Sequence, residues 1–286
     1  NILYQAGPEY DCASDVAKIL ELRSTKPRPH LDDKILTAWN GLMISAFAKG
    51  AQVLGDPTLA GVARRALNFL RQNLWQEGKL LRRWRNGESA IDAFLDDYAF
   101  LILSLLDMYE TTFERRDLEW ALELAEIAIA KFEDADGGFF STPDGQSDLV
   151  MRLKDDYDGA EPSGNSAMVY ALARIARMTG ATDARGAVER ALESFSGRLR
   201  STGPGLPYML CAHSFFTAPP TEIVLAGPES PEMLEKIRSH FLPSAVVMRA
   251  EHLPEPRPAI DGKPTVYVCE NFACQLPVTE LAALSL

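Results

Sequence analysis

The chain alternates between apolar helical segments and amphipathic ones, and this alternation restricts the folds open to it. Apolar helical patterns begin near residues 36, 94 and 163, and each is followed by an amphipathic pattern and a turn-rich loop. The starts are spaced by roughly 60 to 70 residues, and hairpins of this kind must stack because none buries its apolar face alone. The pattern predicts an α/α toroid with buried inner helices and half-exposed outer helices.

We expect only part of such a toroid in this chain. A closed ring of six hairpins contains about twelve helices, whereas the pattern predicts about eight here. The sequence also opens without an initiator methionine, which is typical of a fragment or a processed chain. We therefore predict that part of the ring is missing or is supplied by residues preceding Asn1.

The pattern changes after about Phe216. Short apolar runs with one helix among them replace the hairpins, which predicts a small α/β lobe. The predicted strands are Thr221–Ala226, Ala245–Arg249 and Thr265–Cys269, and the helix follows Ser230. The predicted organisation is an N-terminal arm with a short helix (1–30), a helical-hairpin barrel portion (31–216) and a small α/β tail packed on the barrel (217–286).

Charge and cysteine content exclude some classes of partner. The 29 basic and 40 acidic residues give a formal charge of -11, which argues against nucleic acid and anionic membranes as partners. We find no apolar run as long as the roughly 18 residues of a membrane span. Four cysteines do not make a disulfide scaffold, so we expect a reducing, cytoplasmic location, and we expect no cofactor and no metal.

Three predicted inner helices begin with polar residues. These starts are the segment 29–41, the run Asp96-Asp97-Tyr98 and the segment 161–165. Alternate helices of a toroid run parallel, so we expect the three starts to meet on one face and form a pocket. The residues that we assign to it are Asp33, Asp97, Glu161 and His30 as catalytic groups, and Asp32, Trp39, Asn40, Tyr98, Asn165 and His213 as substrate-binding groups.

Carboxylates, amides and aromatic rings together are typical of a sugar site, where rings stack on the sugar face and polar groups bind hydroxyls. Asp33 or Asp97 opposite Glu161 would suit glycoside hydrolysis. A sugar epimerase or isomerase needs an acid and a base with pKa values near neutrality, usually histidine. His30 and His213 are the histidines in suitable places.

Each of these residue types also has a structural interpretation. Asp32 and Asp96 could cap helices, as could Ser163, and Lys34 most simply pairs with the neighbouring aspartates. The acidic run 155–158 is either a solvated loop or a pocket rim. For Cys269 and Cys274 we favour buried structural thiols over half a zinc site or a redox pair.

Four motifs resemble those of the YyaL-type family, also called spermatogenesis-associated proteins with a thioredoxin domain. They appear in the family's order and span essentially the whole chain. The motifs are Arg28-Pro-His-Leu-Asp-Asp-Lys-Ile-Leu-Thr-Ala-Trp-Asn-Gly41, Phe94-Leu-Asp-Asp-Tyr-Ala-Phe100, Asp158-Gly-Ala-Glu-Pro-Ser-Gly-Asn-Ser166 and Val268-Cys-Glu-Asn-Phe-Ala-Cys274.

The resemblance implies a thioredoxin-like domain followed by an (α/α)6 barrel of the six-hairpin glycosidase type, similar to N-acylglucosamine 2-epimerases. This chain would be the C-terminal barrel portion, with the N-terminal portion of the same protein as its partner. The resemblance favours an epimerase-like or isomerase-like sugar site. The alternatives are a glycoside hydrolase-like enzyme and a non-catalytic binding or scaffold module that accompanies the thioredoxin domain.

Overall fold

The computed structural model describes residues 7, 12–144, 150–271 and 273–286. These residues form two compact units, Asn1–Lys34 and Ile35–Leu286, each of which is described by itself. The smaller unit contains helix α1 (Ala13–Ser24), which agrees with the short helix predicted there. The larger unit carries the predicted barrel helices and the α/β lobe.

Seven helices of the larger unit form three pairs of inner and outer helices, followed by a fourth inner helix. In chain order they are α2 (Thr37–Leu54), α3 (Pro57–Asn73), α4 (Leu95–Thr112), α5 (Arg115–Phe132), α6 (Gly164–Thr179), α7 (Thr182–Thr202) and α8 (Pro207–Thr217). The inner helices α2, α4, α6 and α8 pack side by side, and α3, α5 and α7 each pack behind the inner helix that precedes them. This arrangement is an arc of an α/α toroid, as predicted.

Helix α4 is buried on every side because it has neighbours on every side. It lies between α2 and α6 and beneath α5, and its residues from Leu95 to Glu110 are buried with the single exception of Asp96. Helix α3, by contrast, buries only Ala63, Leu67 and Leu70 along one stripe. The two burial patterns follow directly from the two hydrophobic patterns in the sequence.

Glycine allows the closest approach between inner helices. A Cβ atom added at Gly41 of α2 would lie 2.8 Å from the backbone carbon of Phe100 in α4. No other residue type fits that distance without a shift of one helix. The helix ends also follow local chemistry, since the Asp56 side chain accepts a hydrogen bond from the backbone N–H of Thr58 at 2.9 Å, with Pro57 at the first helical position.

A small antiparallel sheet lies next to the start of α2. Its strands are β1 (Ile35–Leu36), β2 (Trp75–Gln76), β3 (Lys79–Arg85) and β4 (Glu88–Asp92), and β3 pairs with each of the others. The sequence predicted only an extended piece over 80–84. Asn86 and Gly87 both have positive φ in the turn between β3 and β4, as a two-residue hairpin turn requires.

The C-terminal lobe is a four-stranded mixed sheet with one helix. Its elements are β5 (Thr221–Ala226), α9 (Pro231–Arg238), β6 (Ala245–Arg249), β7 (Thr265–Glu270) and β8 (Ala273–Cys274), in the strand order β6-β5-β7-β8. The predicted strands and helix of the tail are therefore confirmed, while its boundary at 216/217 remains a prediction. The lobe contacts the arc through Tyr109 of α4, whose hydroxyl accepts a hydrogen bond from the Arg249 N–H at 3.2 Å.

The prediction of buried structural thiols at Cys269 and Cys274 was wrong. The two residues form a disulfide, because the antiparallel register of β7 and β8 places them directly opposite each other. Cys12 and Cys211 are free thiols. Among the residues that the structure describes, no helix is both long enough and apolar enough to cross a membrane.

Candidate functional site

The N-terminal ends of α2, α4 and α6 lie together, as the three polar starts predicted. Asp97, in the first turn of α4, accepts a hydrogen bond from the backbone N–H of Ala38 in α2 at 3.0 Å. On the other side, Gly164 of α6 lies so close to α4 that a Cβ atom there would be 3.2 Å from the Asp96 nitrogen. Three helix N-termini therefore face one region of the surface.

A cavity of about 620 Å³ opens at this end of the arc. Two large aromatic side chains on its wall, Trp39 and Tyr157, are 60% and 65% exposed. The remaining lining residues are Phe94, Leu95, Asp96, Ser141, Asp155, Gly159, Ala160, Glu161, Pro162, Ser163 and Gly164. The wall thus combines exposed aromatic rings with three carboxylates.

Asp97, which we assigned as catalytic, is fully buried beneath this surface. Its Oδ2 atom accepts hydrogen bonds from the Phe94 N–H at 3.0 Å and from Arg82 Nη1 at 2.7 Å. Burial and then the charge of Asp96 raise the pKa of Asp97 to about 7, against the opposing charge of Arg82. Both carboxylate oxygens of Asp97 accept hydrogen bonds from protein groups, so Asp97 links the N-terminal ends of α2 and α4.

Asp96 is the aspartate of the pair that lines the cavity. Arg82 Nη1 donates hydrogen bonds to its two carboxylate oxygens at 3.0 and 3.2 Å. The same guanidinium lies over the Phe94 ring at 4.7 Å. Arg82 therefore holds Asp96 in a fixed orientation at the cavity wall.

Asn165 and Asp158 hold the acidic segment 155–158 in place. The buried Asn165 amide donates hydrogen bonds to the carbonyls of Phe139 at 2.8 Å and Asp155 at 2.9 Å. The Asp158 carboxylate accepts from the Ser163 N–H at 2.8 Å and from the Tyr208 N–H at 2.7 Å. These two side chains position Asp155 and Tyr157 above the N-termini of α6 and α8.

The other predicted substrate-binding residues of the larger unit do not line this cavity. They either stabilise the fold or lie at a different cavity. Tyr98 is buried in the core, with its ring centroid 5.5 Å from that of Phe132. Asn40 donates a hydrogen bond to the Leu36 carbonyl at 2.8 Å. His213 lines a different cavity, between α7 and α8.

Three predicted site residues belong to the smaller unit. His30, Asp32 and Asp33 are exposed there, and Lys34 pairs with Asp32 at 3.3 Å, as we expected for that lysine. Their assignment to the site remains a prediction.

Asp96, Asp155 and Tyr157 line the cavity but were not among the selected site residues. The signal for Asp155 and Tyr157 was present in the sequence as an acidic run interrupted by a tyrosine just before a helix start. The choice between Asp96 and Asp97 depends on the rotation of α4, because successive residues of a helix point about 100° apart.

No family model matches this chain. It is 34% identical to human spermatogenesis-associated protein 20 over 294 residues, which cover 93% of this chain and 37% of that protein. The rat protein of the same name is 35% identical over 290 residues, covering 92% and 37%. An uncharacterised protein of Caenorhabditis elegans is 31% identical over 282 residues, covering 92% and 38%.

Among solved structures, a cellobiose 2-epimerase from Spirochaeta thermophila is 18% identical, with a TM-score of 0.47 over 57% of this chain and 43% of that one. An α-1,6-mannanase from Salegentibacter is 13% identical, with a TM-score of 0.47 over 64% of this chain and 52% of that one. This chain spans less than two fifths of the length of the curated relatives that it matches. Over that span, it is a homologue of spermatogenesis-associated protein 20.

Proposed function

We propose that the cavity at the N-terminal ends of α2, α4 and α6 binds a carbohydrate. The observation that carries the proposal is that exposed Trp39 and Tyr157 line one cavity together with Asp96, Asp155 and Glu161. Leaving two large rings in water is unfavourable unless a ligand covers them. A sugar matches such a wall because its C–H face packs on aromatic rings while carboxylates accept hydrogen bonds from its hydroxyls.

The acid and base groups on the cavity wall favour some reactions over others. Within unit Ile35–Leu286 the lining contains three carboxylates and no histidine. The family resemblance favours epimerisation or isomerisation, which usually uses an imidazole as acid or base. The cavity lining supports a reaction catalysed by carboxylates better than one catalysed by histidine. Hydrolysis of a glycosidic bond, which uses two carboxylates, is therefore our second candidate function.

A ligand-observed NMR screen of neutral mono- and disaccharides tests binding. We expect saturation transfer to at least one saccharide. Trp39→Ala should weaken its binding about tenfold, because one aromatic contact contributes about 1.4 kcal/mol. Met43→Ala is the matched control, since Met43 is 54% exposed on the same helix and lies outside the cavity lining.

Two results would contradict the binding proposal. One is the absence of saturation transfer to every saccharide while the protein is folded. The other is equal affinity of the wild type and Trp39→Ala for the saccharide that binds.

Hydrolysis is tested with chromogenic glycosides of the saccharide that binds. We expect release of the chromophore by the wild type and at least a hundredfold slower release by Glu161→Gln, because an amide cannot act as acid or base. Glu161→Gln should still bind the saccharide. Equal release by both proteins would exclude Glu161 from the reaction.

The relatives that this chain matches are more than twice as long as the chain. We propose that the natural partner of this chain is the N-terminal portion of the same protein, with a thioredoxin-like domain, and that it acts in the cytoplasm. The alternative is that this chain is a non-catalytic binding module that serves as a scaffold for the thioredoxin-like domain. Loss of saccharide binding upon occupation of the cavity by the N-terminal portion would favour that alternative.

A further inference from the structure

The β7–β8 hairpin keeps Cys269 and Cys274 side by side independently of the bond between them. The two residues are opposite each other in the antiparallel register, and the Gln275 N–H donates to the Val268 carbonyl at 2.9 Å. Strand β7 is also paired along its whole length with β5. Reduction therefore leaves the two sulfurs adjacent and ready to form the bond again.

The bond contributes little as a connection between distant parts of the fold. It links residues that are five positions apart, and a disulfide constrains the unfolded chain less when the loop that it closes is short. The ladder between β5 and β7 already holds this hairpin in the lobe. A structural role alone does not account for the position of this pair.

The two sulfurs differ in their access to solvent. Cys269 is 3% exposed, whereas Cys274 is exposed at the edge of the sheet. A thiolate from solution can therefore attack the Cys274 sulfur, and Cys269 is then the leaving group.

Arg257 supports Cys269 in that role. Its Nη1 atom donates a hydrogen bond to the Cys269 sulfur at 2.6 Å, and its guanidinium stacks on Tyr267 at 5.6 Å and faces Glu222 at 3.9 Å. An adjacent guanidinium stabilises a thiolate, and a more stable thiolate leaves faster in exchange. Glu222 and Tyr267 hold the guanidinium beside the sulfur.

We propose that Cys269–Cys274 is an exchangeable disulfide that a dithiol reduces, with Cys274 as the attacked sulfur and Cys269 as the leaving thiolate. In the first step a dithiol thiolate bonds to the Cys274 sulfur, and the electron pair of the broken bond stays on Cys269. In the second step the other thiolate of the dithiol attacks its own mixed-disulfide sulfur and releases Cys274. The dithiol is oxidised by two electrons, and the two cysteines take up two electrons and, from water, the protons of their thiols.

The test uses the full chain with Cys12 and Cys211 replaced by serine, so that only the pair reacts. The protein is incubated with dithiothreitol, and alkylation followed by mass spectrometry measures the fraction of reduced pair over time. We expect complete reduction of the folded protein and, after removal of dithiothreitol, re-formation of the bond on oxidation with glutathione disulfide. Arg257→Gln should slow reduction roughly three- to tenfold through a poorer leaving group, and Arg257→Lys should recover part of the rate.

Arg185→Gln is the matched control, because Arg185 lines the same cavity of about 750 Å³ as Arg257 but pairs with Glu189. Circular dichroism verifies that each variant is folded. In Cys269→Ser, Cys274 should form a mixed disulfide with oxidised glutathione, whereas Cys269 in Cys274→Ser should react far more slowly. The proposal is overturned if the pair is reduced only upon unfolding, if it stays reduced with oxidant present, or if Arg257→Gln reacts at the wild-type rate.

Discussion

Asp97 illustrates how a single carboxylate organises the candidate site from beneath. Its oxygens accept hydrogen bonds from the N–H groups of Ala38 and Phe94 and from Arg82. A buried N–H donor that loses its acceptor costs more than an exposed ion pair contributes. Asp97 therefore holds α2 and α4 together at the ends that form the cavity.

Asp97→Asn should lower the free energy of unfolding by about 1 to 3 kcal/mol, because a buried N–H donor loses its acceptor while Arg82 keeps Asp96 as a partner. The asparagine amide has a single oxygen, so its NH2 group must face either the Ala38 N–H or the Phe94 N–H and Arg82, and these groups are all donors. Asp96→Asn is the control and should cost less than about 1 kcal/mol, since Asp96 is partly exposed. Urea denaturation of the three proteins measures both values, and similar values for the two variants would contradict this account.

A second buried carboxylate, Asp107, belongs to a charge network between α2, α4 and α6. Arg174 Nη1 lies 2.7 Å from Asp107 and its Nη2 lies 2.8 Å from Glu110, while Lys49 lies 3.1 Å from Asp107. Burial opposes ionisation of Asp107, but the charges of Lys49 and Arg174 outweigh burial and lower its pKa. The folded chain therefore stabilises the ionised form of Asp107.

The network predicts how stability depends on pH. Because the pKa of Asp107 is lower in the folded chain than its unfolded value of 3.8, its contribution is complete above about pH 4 and is lost as the pH falls further. Asp107→Asn should cost about 3 kcal/mol or more at pH 7, and the difference from the wild type should narrow below pH 4. Unfolding free energies from pH 7 to pH 3 measure this difference, and a constant difference would contradict the assignment.

At the scale of single elements, the packing of α2 on α4 depends on Gly41. Gly41→Ala should destabilise the protein by roughly 1 to 3 kcal/mol, because the added methyl would meet the Phe100 backbone at 2.8 Å. Gly61→Ala in α3 is the matched control, since its added methyl meets nothing nearer than 3.8 Å. It should stabilise the protein by about 0.5 to 1 kcal/mol. Thermal unfolding compares the two, and equal signs would exclude close packing as the cause.

The inner and outer helices were predictable because their burial follows the hydrophobic period of the sequence. The apolar surface of α4 and the single apolar stripe of α3 are local signals. Strand β4 was missed although Asn86-Gly87 is a hairpin turn signal, since its short run carries no clear alternation. The Cys269–Cys274 disulfide was also missed, because it depends on the register of a two-residue strand.

The composition of the site was less predictable than the fold. The sequence places Asp96 and Asp97 side by side, yet only the packing of α4 decides which one lines the cavity and which one is buried. The same is true of Trp39 and Tyr98, which are both aromatic residues in helix starts, with Trp39 exposed and Tyr98 buried. Tertiary packing, which sequence patterns do not encode at single-residue resolution, decides these roles.

At the scale of the whole unit Ile35–Leu286, the parallel inner helices explain why one end of the arc carries the polar groups. Their N-termini share that end, and positive helix ends favour the carboxylates that collect there. The lobe contacts the arc at the opposite ends of these helices, since Arg238 donates hydrogen bonds to the carbonyls of Glu110 and Thr111 near the C-terminal end of α4. The fold therefore leaves the polar end uncovered by the lobe.

An NMR titration of the four tryptophan indole N–H signals tests carbohydrate binding at the cavity most directly. A saccharide identified by the screen is added to protein labelled with ¹⁵N at tryptophan, and Trp39→Phe assigns the signal of Trp39. We expect a saturating shift of the Trp39 signal, with Trp75, Trp84 and Trp120 unchanged, because these three lie outside the cavity lining. Saturable binding that leaves the Trp39 signal unmoved would contradict it.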